Sequence, residues 1–248
     1  MRRHAHALAR RVLGRGYPRA LRRWRRAQGA ARARRRARAT RRFVAWHGLE
    51  VSGGPFAGLR YTDTLPHTLV PKLLGVYERE LHGAVEDVIR AEPEVIVNVG
   101  AADGYYAVGL ARRCPAARTV VFEADDDQRA LLNRVIAANG VTAEVRGAAT
   151  VELLRTIAAD VVFIDCEGCE RALLDPAAIP WLGGATIIVE LHDVWDPGVG
   201  AAVTERFAAT HDIVVIPSGP QPPRGVLSEQ RPGPMSWAVM TPRRAPRA

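Results

Sequence analysis

Apolar and polar positions divide the chain near residue 93. Beyond it, short apolar runs alternate with stretches of helical spacing. The runs "VIVNV" (Val95–Val99), "TVVFE" (Thr119–Glu123), "VTAEVRG" (Val141–Gly147), "VVFID" (Val161–Asp165) and "TIIVE" (Thr186–Glu190) read as strands. Continuous apolarity of this kind fits strands buried on both faces of a parallel sheet. Helices are expected from about Tyr105 to just before Pro115 and from Asp127 to Asn139, the second ending on Gly140, which suits the left-handed position after a helix. "DIVVI" (Asp212–Ile216) and "SWAVM" (Ser236–Met240) add two strands. The segment between them is rich in Pro and Gly and has no helical pattern, so this last pair is expected to run antiparallel. The pattern predicts an α/β fold: a doubly wound, mostly parallel seven-stranded sheet with an antiparallel last strand. Ahead of it, Gly54–Tyr61 reads as a turn followed by a strand-like stretch. Leu73–Glu92 reads as one helix, with Leu81, Val85 and Ile89 near helical spacing. The expected divisions are an extension over 1–42, a cap segment over 43–92, the α/β domain over 93–242 and a tail over 243–248.

Charge sharpens the first boundary. The chain of 248 residues carries a net +9, but residues 1–42 hold 17 Arg, no Lys and no acid. Residues 43–248 are left with 18 basic against 26 acidic side chains, a net of −8. Whole-chain charge therefore says nothing about the folded part. The extension is expected to be disordered or partly helical and solvated, the sharper alternative being a weak anionic partner, lipid or RNA. No stretch approaches the 18 or more apolar residues of a membrane span, and the N-terminus lacks the apolar core of a secretory signal. The expected location is cytoplasmic, without a transmembrane segment. An organellar transit peptide is usually Ser-rich, and residues 1–42 contain no Ser.

The sheet's carboxyl edge is where such a fold binds ligands. The first strand runs into "NVGAADGYYAVGLA" (Asn98–Ala111), in which Gly100 allows a tight turn, Ala102 leaves room beside the backbone and Gly104 opens the helix. A dinucleotide fingerprint would need its third glycine at Tyr105, where a large side chain blocks close helix–strand packing. The spacing fits S-adenosylmethionine better than NAD. Glu123, ending the second strand, is placed to accept hydrogen bonds from both ribose hydroxyls of an adenosine. The fourth strand ends "VVFIDCEGCE", placing Asp165 and Glu167 where paired carboxylates are costly without a function.

On these residues the chain resembles the FkbM-type methyltransferases, a family of class I S-adenosylmethionine-dependent enzymes. Asp165, Glu167, Gly168 and Glu170 match the family's Asp-x-Glu-Gly-x-Glu turn, "NVGAADGYYAVGLA" looks like its first turn, and "TIIVELH" looks like its fifth strand. The resemblance covers roughly residues 75–195 and implies a Rossmann-like methyltransferase fold and O-methylation of a sugar or other small hydroxylated acceptor. The expected cofactor contacts are Asn98, Gly100, Ala102, Asp103, Gly104, Glu123, Ala124, Ala148 and Asp165. Three positions depart from the family. Asn98 stands where Asp is usual, and Cys166 and Cys169 replace small or apolar residues.

The expected catalytic residues are Asp165, Glu167 and His192. At the end of the fifth strand, Glu190, His192 and Asp193 are expected to line the same rim as Asp165, and His192 reads equally as a general base or as a rim histidine bonded to a carboxylate. A divalent metal between Asp165 and Asp193 is conceivable, but no metal set is singled out. With three cysteines there is no disulfide framework, and Cys166-x-x-Cys169 supplies two of the four ligands a structural zinc needs, so the pair reads as small buried hydrophobes. Tyr77, Glu78 and Glu80 are expected to cover the cofactor. Glu229 and Arg231 lie in a long loop that reads as a substrate lid, although surface polarity suits Arg231 slightly better. Two further readings stand beside the small-molecule enzyme: an RNA methyltransferase that uses the basic extension, and a non-catalytic adenosine-binding or anionic-surface-binding protein.

Overall fold

The computed structural model describes residues 17–62, 68–219, 225–229, 231, 233 and 235–243, with side chains from residue 29 onward. The first 16 residues of the extension and residues 244–248 lie outside that range. The chain forms two units, Met1–Trp46 and His47–Ala248. In the first, helix α1 (Tyr17–His47) runs 31 residues, about 46 Å at 1.5 Å per residue, and passes the expected boundary at residue 42. Its apolar residues are mostly Ala and form no stripe, so this helix has no amphipathic face to bury.

The second unit opens with helix α2 (Leu69–Leu73) and α3 (His82–Arg90), with a short 3₁₀ turn at Arg79–Leu81 between them. The single helix expected over Leu73–Glu92 is thus corrected. Gly75 has φ +65° and lies so close to Gly53 that a Cβ would sit 2.0 Å from the Gly53 carbonyl oxygen. Glu78 is also left-handed, at φ 46°. Packing against the Gly53–Gly54 turn overrides helical spacing and buries Glu78, while Arg79 stays exposed.

The sheet is built from β1 (Val95–Val99), β2 (Arg118–Phe122), β3 (Glu144–Arg146), β4 (Val161–Ile164), β5 (Thr186–Leu191), β6 (His211–Pro217) and β7 (Ser236–Pro242), in the order β3-β2-β1-β4-β5-β7-β6. The five strands β1 to β5 pair in parallel, while β7 runs antiparallel to both β5 and β6. This is the predicted sheet. The antiparallel strand is second from the edge because the loop after β6 returns it between β5 and β6. The crossovers carry α4 (Tyr105–Arg113), α5 (Asp126–Asn139), α6 (Val151–Arg155), α7 (Glu170–Leu173) and α8 (Val199–Phe207). Strands β1, β2, β4 and β5 are buried almost end to end, as their unbroken apolarity requires. Asp125 caps α5 by accepting the Gln128 N–H at 2.9 Å, and Gly140 closes it at φ +62°.

Among the described residues no helix is long and apolar enough to cross a membrane.

Candidate active site

The crossovers leave β1 and β4 in opposite directions across the sheet, so their adjacent carboxyl ends form the crevice where this architecture takes ligands. A cleft of about 450 Å³ opens there, between Gly100, Ala102, Glu123, Ala124, Ala148 and Asp165. Gly100 makes the crevice possible. At φ +77°, it lies so near the β4 end that a Cβ would stand 1.7 Å from the Asp165 carbonyl oxygen. Gly104 is left-handed at φ +88°, and a Cβ there would meet Leu132 of α5 at 2.7 Å. Glu123 accepts the Ala102 N–H at 2.7 Å through one oxygen and the Asp125 N–H at 2.8 Å through the other. A carboxylate has about four lone-pair sites, so each oxygen keeps acceptor capacity toward the cleft.

Two other expected contacts point elsewhere. Asn98 is buried, and its amide donates to the Phe163 carbonyl of β4 at 3.1 Å. An Asp there would set a carboxylate against that carbonyl, which gives Asn98 a structural reason. Asp103 is buried in an ion pair with Lys72 of α2, at 2.7 Å. Lys72 also lies 4.7 Å from the Tyr77 ring centre, so it ties the cap segment to the loop after β1. In sequence it is an isolated lysine.

The turn after β4 joins this cleft to a second cavity. Glu167 (φ 52°) and Gly168 (φ 122°) are both left-handed, and the turn brings the Cα atoms of Cys166 and Cys169 to 5.6 Å. That separation is within disulfide range, and the two cysteines are bonded, which corrects the reading of the pair as small buried hydrophobes. The bond staples the turn between Asp165 and Glu170.

The second cavity, about 380 Å³, is lined by five carboxylates, Glu78, Asp165, Glu167, Glu190 and Glu229, together with His192, Arg231, Tyr77 and Trp195. Asp165 and Glu167 line both cavities. Surface polarity for Arg231 is corrected. Its side chain is 7% exposed and pairs with Glu80 at 2.7 Å, Glu229 at 3.1 Å and Glu78 at 3.7 Å. Glu229 also accepts the Glu78 backbone N–H at 3.0 Å, so the loop before β7 is held to the cap segment. Burial and the Glu190 charge push the Glu78 carboxyl up to about 8, although the Tyr106 hydroxyl and Arg231 pull the other way. Burial, then Glu190 and Glu78, hold the Asp165 carboxyl well above the usual range.

His192 is 3% exposed, and its Nδ1 lies 2.6 Å from the fully buried Glu170. Its Nε2 faces Glu190 at 3.4 Å and Asp165 at 3.6 Å. Burial opposes the imidazolium, but the bonds to Glu170 and Glu190 and the Asp165 charge override it and raise the pKa to about 10. That direction is away from the near-neutral value on which its reading as a general base rests. Asp193 is not beside Asp165, since it caps α8 by accepting the N–H groups of Gly198 at 2.9 Å and Gly200 at 3.2 Å. Glu78, Glu190 and Arg231 gain their places through the broken cap helix and the β5–β7 pairing, which no local motif announces.

No protein-family model matches the chain, and no curated protein matches it. Solved structures similar in backbone include an O-methyltransferase from Bacillus cereus in complex with SAH, at 20% identity and TM-score 0.45, covering 63% of this chain and 78% of that one. An rRNA methylase from Streptococcus thermophilus is 12% identical with TM-score 0.49, over 66% and 96% of the two chains. A precorrin-6y C5,15-methyltransferase from Geobacter metallireducens is 14% identical with TM-score 0.49, over 64% and 88%.

Proposed function

We propose that the chain is an S-adenosylmethionine-dependent O-methyltransferase of the FkbM type, acting on a small hydroxylated acceptor. One observation carries this reading. The cleft that this reading gives to the adenosine, lined by Glu123 and by Ala102 of the glycine turn, shares Asp165 and Glu167 with a separate polar cavity. Two ligands in these cavities meet at one turn, as an in-line transfer requires.

In this reading the adenosine lies over Gly100 and Ala102, with Glu123 accepting from its ribose and Ala124 and Ala148 walling the cleft. Glu167 faces the ammonium of the methionine end. The acceptor occupies the acidic cavity. Its hydroxyl oxygen attacks the methyl carbon, the carbon–sulfur bond breaks, the electron pair stays on sulfur as the thioether leaves, and the hydroxyl proton passes to Asp165. His192, held by Glu170, positions Asp165.

Helix α1, with 12 Arg among its 31 residues, favours RNA as a second acceptor. The carboxylate-lined cavity opposes it by repelling phosphate. Methyl-labelled cofactor offered to hydroxylated small molecules and to RNA separates the readings. Label on a small-molecule hydroxyl is the expected result. Label on RNA that is lost with residues 1–42, with a steep salt dependence, establishes the second reading. Cofactor binding without label on any acceptor leaves a non-catalytic adenosine-binding protein.

A further inference from the structure

The contacts around His192 are uneven in length. Charge-assisted N–H···O contacts close to about 2.7–2.9 Å. The Nδ1 contact with Glu170 is that short, at 2.6 Å. The Nε2 contacts of the same ring stand off at 3.4 Å from Glu190 and 3.6 Å from Asp165. Two ligands bonded at about 2.1 Å to one ion lie roughly 3.0–3.5 Å apart, which is close to these separations. The ligand atoms of Asp165, Glu190 and His192 all fall within 4.8 Å of one another.

The surroundings are arranged for such an ion. Glu170, buried and bonded to Nδ1, fixes the ring so that Nε2 points between the two carboxylates, and a carboxylate behind a ligating histidine commonly orients it and raises its basicity. The Gly168 N–H, donating to the same Glu170 oxygen at 3.2 Å, holds Glu170 in place. Arg231 is engaged by Glu78, Glu80 and Glu229, so it does not neutralise this corner.

We infer that Asp165, Glu190 and His192 form a binding site for one divalent transition-metal ion, with its remaining coordination positions open to the acidic cavity. Imidazole with two carboxylates suits Mn²⁺, Fe²⁺ or Zn²⁺ better than Ca²⁺. The site itself is independent of the methyl-transfer reading. A role for it in lowering the pKa of an acceptor hydroxyl rests on that reading.

The test is Mn²⁺ alone, added to the metal-stripped full chain without cofactor or acceptor, followed by the loss of the free-ion EPR signal. The expected result is one saturable site with a nitrogen coupling in pulsed EPR. In His192→Ala the coupling disappears, Glu190→Gln weakens binding, and Glu170→Gln weakens it by about 10- to 100-fold while keeping the coupling. Cooperative melting in chelator checks that each variant is folded. Absence of saturable Mn²⁺ binding by the unaltered chain overturns the site. So does binding that keeps its nitrogen coupling in His192→Ala. Failure of methyl transfer alone leaves the metal result intact, so the two readings fail separately.

Discussion

The cleft over Gly100 and the cavity beside it share Asp165 and Glu167 but differ in construction. The cleft is shaped by backbone: a glycine that lets two loops cross, small residues along its wall, and a carboxylate whose oxygens are positioned by two N–H groups. The cavity is shaped by charge, with carboxylates from the cap segment, the β4 turn, the end of β5 and the loop before β7 converging on Arg231 and His192. A surface set by backbone geometry suits a ligand that is always the same. One set by side chains from four separate segments is free to vary with the acceptor.

This contrast yields separable outcomes. Asp165→Asn should reduce turnover by about 10²- to 10⁴-fold in single-turnover assays, with a much smaller change in cofactor affinity. Equal losses in both would erase the distinction between the two regions. Gly100→Ala should act on the fold, because the new methyl has only the Asp165 backbone to displace. A destabilisation of about 3 kcal/mol, roughly 6–12 °C in melting temperature, should accompany loss of cofactor binding. Glu123→Ala should weaken cofactor affinity by about 10- to 100-fold, the value of hydrogen bonds to a charged group, and leave Mn²⁺ binding unchanged.

Replacing both Cys166 and Cys169 by Ser should cost at most about 2 kcal/mol, since the bonded loop is short, and melting with and without reductant measures it. A further effect is on pH dependence. The folded chain binds extra protons at Glu78, raised from 4.5 to about 8, and at His192, raised from 6.5 to about 10. Both contributions are present in full below the unfolded values and fade as pH rises through the folded ones. Melting temperature in chelator should therefore fall from about pH 5 to 10, each proton contributing at most about 1.4 kcal/mol per pH unit. Glu78→Gln should flatten the limb below pH 8 and leave the limb that ends near 10.

How legible each region is in the sequence follows from the same contrast. Gly100, Ala102 and Glu123 belong to short stretches at the ends of apolar strands, so period and punctuation locate the cleft. Strand limits agree within a residue or two except at β3, where only Glu144–Arg146 of the expected Val141–Gly147 pairs with β2. The cap region was misread because helical spacing at Leu81, Val85 and Ile89 does not register the close approach of Gly75 to Gly53. Lys72 escapes a sequence reading for a related reason, and so does the burial of Glu78, Glu190 and Arg231, which the sequence offers only as cap, rim and loop residues. They are single charged residues whose partners lie far along the chain, and only the tertiary fold makes their burial meaningful. His192 was found by position, but its protonation depends on Glu170, which the sequence offers merely as the last residue of a turn.

The central claim, that the cleft over Gly100 takes S-adenosylmethionine through Glu123, is tested most directly by calorimetric titration of that cofactor into the full chain and into Glu123→Ala, with NAD as the control. The expected result is a single micromolar site for S-adenosylmethionine, weakened by about 10- to 100-fold in the variant, and no heat from NAD. Absence of S-adenosylmethionine binding, or an affinity untouched by the substitution, would contradict it.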